Sequence, residues 1–306
     1  MKRILTYLFL FLWVMTVSAQ NMDIEQSKKL STFNFLSPKA QRPSVQHSTQ
    51  EFGLVLSGGG ALGLAHIGAI KALEEAGIEP KWVAGSSMGA IIGVIYAAGY
   101  SADEIMQIVE DKRLYKVGRL IKLQSALKNS GMSTHKTLLR ELHELIPHNS
   151  FDSLKRCFMV CVTDVERGEP VYRYEGDNLA EYVAASASIP GLFEPIVIDS
   201  VRYVDGGVTD NLPASKLLTL NSKLFIIAVD VLPFIEHYEA KNAVDMAQWA
   251  LRLFQIKNMD TNRDACDVLV QSFALEKYHE FDFKHYKEIY QYGYDAMKAK
   301  LQSINN

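Results

Sequence analysis

An α/β three-layer sandwich with a largely parallel central sheet is the fold this sequence predicts, on three observations. Residues 52–56, 82–84 and 224–229 are short apolar runs without polar alternation, the signature of strands covered on both faces. Helix-like runs at 64–76, 90–98 and 242–258 lie between and after them, and strands alternating with helices build parallel sheets. The first two strands each run straight into a glycine-rich turn, Ser57-Gly58-Gly59-Gly60 and Gly85-Ser86-Ser87-Met88-Gly89, before a helix begins.

The chain opens on Met1-Lys2-Arg3, an apolar run over 4–17 and then Ser18-Ala19, which are the basic, apolar and small-residue parts of a secretory signal peptide over residues 1–19. The run falls short of the roughly 20 apolar residues a membrane-spanning helix needs. No cysteine follows it for lipid attachment. Residues 20–50, rich in Ser, Gln, Thr and Asn with Pro38 and Pro43, read as an extended leader. Residues 51–306 are then expected to form a single domain ending in a helical extension.

Within that domain, Gly77 closes the helix at 64–76 as its C-cap, and the helix after the second glycine turn ends near Gly99. Ser101-Ala102-Asp103-Glu104 is a capping box opening a helix to about residue 111. Between Lys112 and Arg140 stand eight Lys and Arg residues and no Asp or Glu. If that stretch is helical, Lys112, Lys116 and Arg119 share one face and Leu114, Val117 and Ile121 another. Such a segment can make peripheral contact with an anionic lipid surface, although an ordinary surface helix shows the same pattern. Strands follow at 158–162 and 170–174, then a small-residue helix over 179–188, capped by Asp177 or Asn178 and stopped at Pro190-Gly191. A hairpin over 193–204 delivers Asp205-Gly206-Gly207, and a strand at 267–270 and a helix at 283–301 complete the chain.

With 306 residues, 48% apolar and 22% charged, the chain can bury one substantial core. Its formal charge of −3 gives no electrostatic footprint for nucleic acid. Cys157 and Cys161, if on one strand, are roughly 13 Å apart and cannot bridge each other; a single bridge to Cys266 stays open, with buried free thiols the simpler reading of the three cysteines.

Two functional readings compete for the glycine turns. Gly58-x-Gly60-x-x-Gly63 matches a dinucleotide fingerprint, but that fingerprint needs an acidic residue at the end of the next strand to hold a ribose. Here that strand ends in Gly85-Ser86-Ser87, and no Gly-Lys-Ser/Thr completes a P-loop either. Gly-x-Ser-x-Gly between strand and helix is instead a nucleophile-elbow pattern with Ser87 as nucleophile. The N–H groups of Gly58, Gly59 and Gly60 then become candidates for an oxyanion site. A serine needs a base, and two answers stay open: an acid and histidine drawn from Asp205, Asp230, His237, His279 and His285, or Asp205 acting directly, brought close by the turn at Gly206-Gly207.

The blocks Ser57 to Gly68, Gly85 to Gly89, Ala185 to Pro195 and Asp205-Gly206-Gly207, in this order, resemble those of bacterial patatin-like phospholipases. The resemblance implies a lipid acyl hydrolase with a Ser87–Asp205 dyad, an oxyanion site at Gly58, Gly59 and Gly60, and motif glycines at Gly63, Gly85, Gly89, Gly206 and Gly207. No cofactor or metal is implied, and His66 is expected to be structural. Leu62 stands where family members often carry Arg or Lys, so the turn lacks a cation for a phosphate headgroup. Neutral glycerolipids and simple fatty-acyl esters therefore join phospholipids as expected substrates. The chain also stops short of the outer-membrane barrel some secreted relatives append, so a periplasmic or secreted location is expected. A lipid- or partner-binding module on the same fold is the alternative.

Overall fold

The computed structural model describes residues 50–111, 131–233 and 243–305. The segments expected to be a signal peptide and, but for residue 50, a leader, together with Lys112, Lys116, Arg119 and His237, lie outside the described residues. The described residues belong to one compact unit that begins at Thr49.

Continuous apolar strands are stable only when both faces are covered, and the central strand meets that condition. In β1 (Phe52–Leu56), Leu54, Val55 and Leu56 are fully buried. A Cβ on Gly53 would meet Ile226, Leu217 and Leu224, whereas Leu56, three residues on and facing the opposite way, packs near Gly93 with Val83 and Phe158. Helices therefore flank the sheet on both sides.

Two parallel neighbours pair with β1: β2 (Trp82–Gly85) and, from much later in the chain, β7 (Phe225–Asp230). Next to β2 lies β3 (Cys157–Asp164), again parallel, and β8 (Val268–Gln271) adds to β7. The other edge is antiparallel, built from β4 (Glu169–Arg173), β5 (Ile196–Ile198) and β6 (Val201–Asp205). The order is β5-β6-β3-β2-β1-β7-β8, with β4 beside β3. The chain thus builds outward from β1 in one direction and later returns to build in the other. Ligand clefts of open α/β sheets form at such a switch point, outside the carboxyl ends of the strands.

The helices follow the sequence signals with instructive departures. The first turn after the glycine loop is a 3₁₀ helix, Gly60–Leu64, and α1 proper is Ala65–Glu75, closed by Gly77 in the left-handed region at φ 68°. α2 is Met88–Ala98, and α3 (Ala102–Asp111) opens on the expected capping box, with Ser101 N–H donating to Glu104 Oε2 at 2.8 Å. The later part of the basic stretch forms α4, Gly131–Leu145. α5 is Leu179–Ser186, two residues shorter than predicted, because Ser188 leaves the helix to accept the Asp205 N–H with its carbonyl. Neither Asp177 nor Asn178 caps it through a side chain; Asn149 Oδ1 does, accepting from Ala180 N–H at 2.7 Å. α6 (Ala214–Leu220), α7 (Ala243–Asn258), the short α8 (Asp260–Asp264) and α9 (Tyr286–Asn305) complete the described elements. None of the three cysteines forms a disulfide, but only Cys161 and Cys266 are buried; Cys157, at the outer end of β3, is exposed.

Candidate active site

Leu56 of β1 is level with Gly85 of β2, so the glycine loop and the elbow emerge side by side from adjacent parallel strands. The elbow glycines are required by space. A Cβ on Gly85 would strike the Gly89 backbone, and one on Gly89 would strike the carbonyl of Leu56, so strand and helix could not approach as they do. Between them Ser87 takes φ 51° and ψ −124°, a backbone an L side chain rarely adopts. Its N–H donates to Ser186 Oγ at 2.9 Å, and Ser186 Oγ in turn donates to the Cys161 carbonyl at 2.6 Å. Ser86 Oγ donates to the Asp210 carbonyl at 2.7 Å. The strained turn is held from both sides.

Ser87 Oγ donates to Asp205 Oδ2 at 2.7 Å. Both residues are nearly closed to solvent, Ser87 at 5% and Asp205 at 1% exposure. Asp205 is carried there by β6, which pairs with β3 so that Asp205 lies opposite Val162. Its other oxygen accepts the Gly207 N–H at 2.8 Å. Gly206 is glycine because a Cβ would run into the Cys161 carbonyl, and at Gly207 one would meet Asn211, Gln255 and Asp205 itself. Burial raises the Asp205 pKa to about 7, against the opposing pull of the Ser87 and Gly207 hydrogen bonds. A carboxylate with that pKa, bonded to a serine hydroxyl, can take the serine's proton near neutral pH.

The glycine loop divides its work. Gly58 N–H is used structurally: it donates to the Asn211 carbonyl at 3.3 Å and to Asn211 Oδ1 at 3.2 Å, which removes it from the oxyanion donors the sequence had suggested. Gly59 and Gly60 instead line the same cavity as Ser87 and Asp205. Gly60 sits at φ +55°, and a Cβ there would collide with the Glu280 carbonyl, so this position tolerates little but glycine. Ser87 is also the N-cap of α2, whose positive end favours negative charge beside it. Gly63 makes room for Met88, one residue after Ser87.

The cavity is about 500 Å³. Ile189, Pro190, Gly191 and Leu192 form one side, Ala247 and Leu251 of α7 another, with Phe281 completing a largely apolar lining. Gln255, Arg252 and Glu280 are its polar members beyond Ser87 and Asp205. Arg252 is 4% exposed and is held by Glu280 Oε1 at 2.6 Å and the Pro233 carbonyl at 2.8 Å. A fatty-acyl chain matches the volume and the apolar walls.

No histidine among the described residues is hydrogen-bonded to Ser87 or Asp205. His66 is fully buried with Nε2 on the Ser57 carbonyl at 2.8 Å, and burial lowers its pKa to about 4, so it stays neutral. His285 pairs with Glu288. Asp230 is occupied by Arg263 and Gln271. No group of His, Cys, Asp and Glu among the described residues could hold a metal.

Sequence reasoning missed Asn211, Ser186 and Arg252. Asn211 stands six residues beyond Asp205, and nothing local says that it will reach back to Gly58. Ser186 lies inside a small-residue block whose chemistry is visible only once Ser87 is beside it. Arg252 is a lone cation between two leucines.

The model of the patatin-like phospholipase family matches residues 54–218. A lysophospholipase nte1 of Emericella nidulans is 29% identical over 282 residues, 83% of this chain but 18% of its own length. An uncharacterized NTE family protein of Mycobacterium bovis is 32% identical over 179 residues, covering 58% of this chain and 49% of its own. The chain thus spans about a fifth of the length of the fungal relative and half of the mycobacterial one. Among solved structures, VipD from Legionella pneumophila superposes with a TM-score of 0.52 at 17% identity, over 90% of this chain and 73% of that one.

Proposed function

The chain belongs to the patatin-like phospholipase family, and we propose that it is a lipid acyl hydrolase working through Ser87 and Asp205. The observation that carries this reading is the 2.7 Å bond from Ser87 Oγ to Asp205 Oδ2 at the wall of an apolar cavity. In the proposed reaction Ser87 Oγ attacks an ester carbonyl while its proton passes to Asp205. The N–H groups of Gly59 and Gly60, two residues that line the cavity, receive the oxyanion, assisted by the N-terminus of α2. Collapse breaks the bond to the leaving alcohol, which takes the proton from Asp205, and leaves the acyl group on Ser87. Water, deprotonated by the same carboxylate, attacks that ester; the acyl–Oγ bond breaks, Asp205 returns the proton to Ser87 Oγ, and the fatty acid is freed.

Lysophospholipids, phospholipids and simple fatty-acyl esters are the substrate class; the absence of a cation at Leu62 favours recognition through the acyl chain over the headgroup. Export by the residue 1–19 signal, with work at a lipid surface reached partly through Lys112, Lys116 and Arg119, belongs to the same proposal.

The test is hydrolysis of p-nitrophenyl esters of graded chain length and of lysophosphatidylcholine, together with fluorophosphonate labelling. Ser87→Ala should abolish labelling and lower kcat at least about 1,000-fold, and Asp205→Asn should lower kcat by a similar factor. Full activity in Asp205→Asn would rule out the dyad. Absence of labelling and turnover in the wild type would favour a binding module.

A further inference from the structure

One helix both lines the cavity and presents an apolar face to solvent. Ala247, Leu251, Arg252 and Gln255 of α7 border the cavity. Turned outward are Met246 at 54% exposure, Ala250, Leu253 at 39% and Phe254 at 70%. The spacing 246, 250, 253, 254 places these four on one stripe of the helix. Exposed phenylalanine and methionine on one stripe are unusual on a soluble surface unless something covers them. Ala247 joins the two faces, being exposed and part of the cavity lining, and Pro190 and Gly191 of the same lining are exposed as well.

From this juxtaposition we propose that the outer stripe of α7, Met246, Ala250, Leu253 and Phe254, docks on a lipid surface so that a monolayer lipid passes over Ala247 into the cavity. The inference rests on the acyl-hydrolase reading of that cavity and names the surface by which it meets its substrate. A lipid surface fits better than a protein partner. Four side chains on one helix offer well under the roughly 800 Å² per partner that a stable protein interface takes. A helix face lying in the headgroup region needs only about 5–10 Å of immersion. None of the four stripe residues is charged, so the stripe's contribution is apolar and persists without anionic lipid.

The experiment uses the full chain and vesicles of zwitterionic phosphatidylcholine, read by sedimentation, with a water-soluble short-chain ester as the control for fold and active site. Met246→Asp together with Phe254→Asp should weaken vesicle binding at least tenfold while hydrolysis of the soluble ester stays within about twofold. Phe254→Trp should bind normally and show a blue-shifted emission only when vesicles are present. Unchanged binding in the double variant, no wild-type binding to these vesicles, or loss of a dimer in vesicle-free sedimentation velocity would each overturn the proposal, the last by assigning the stripe to a second copy. Wild-type protein that binds vesicles through α7 yet cleaves no ester would instead refute the hydrolase reading and leave the docking surface standing.

Discussion

Asp205 carries two opposing demands. As a base it must be ionised, yet burial holds its pKa near 7, so kcat/KM should fall about tenfold per pH unit below that value and level off above it. A flat profile between pH 5 and 8 would remove Asp205 from the base's role. The same shift acts on stability with a definite sign. The folded pKa lies above the usual 3.8, so ionisation costs nothing below about pH 4, an increasing amount between 4 and 7, and the full penalty above 7, on the order of 4 kcal/mol. Asp205→Asn should therefore raise Tm at pH 8 and leave it nearly unchanged at pH 4, as thermal unfolding at the two pH values would show. Ser87 and Asp205 were legible in the sequence because each sits in a local turn whose neighbours announce it. The allocation of Gly58 to Asn211 was not, since it depends on a contact 153 residues away in the chain.

Elements were legible where their signals are local and obscured where tertiary contacts set their ends. The capping box at Ser101 and the glycine stop at Gly77 act within one turn of helix, and both read correctly. The end of α5 did not, because the carbonyl of Ser188, just beyond it, accepts the Asp205 N–H of β6. A similar long-range demand governs α1 and α9. A Cβ on Gly68 would strike the Tyr290 carbonyl, and one on Gly293 would strike the Ala65 carbonyl, so the two helices cross with their backbones in contact. Neither glycine stood out in the sequence, where each simply interrupts a helical pattern. Gly293→Leu must push the helices apart and should destabilise the fold by about 2 kcal/mol or more, seen as a lower urea midpoint with unchanged slope. Because α1 begins directly after the glycine loop, turnover should fall as well. An unchanged midpoint would mean that the crossing gives way freely.

At the scale of the whole molecule, the fold class was legible from strand and helix alternation, but the strand order was not. Nothing in the residues of β7 says that it will pair with β1 and not with β6, its predecessor in the chain. That return places Val231, Leu232 and Glu280 against the glycine loop, and the cavity wall formed by α7, Arg252 and Glu280 follows from it. Glu280 ties this wall together, accepting from Arg252 through its side chain and from Ala61 through its carbonyl. Glu280→Ala leaves a buried guanidinium with one carbonyl partner, and since the lost carboxylate is partly solvated the cost should be about 2 kcal/mol. A Tm equal to wild type would show that solvent replaces the carboxylate fully. The distribution of thiols across the same sheet has a practical side. Cys157 is exposed at the amino-terminal end of β3, while Cys161 and Cys266 are buried, and burial makes Cys161 hard to ionise. The native protein should therefore accept one equivalent of a maleimide dye, on the rim of the sheet away from Ser87. It comes with its own attachment point for a fluorophore or surface tether, and needs no engineered cysteine to be watched one molecule at a time.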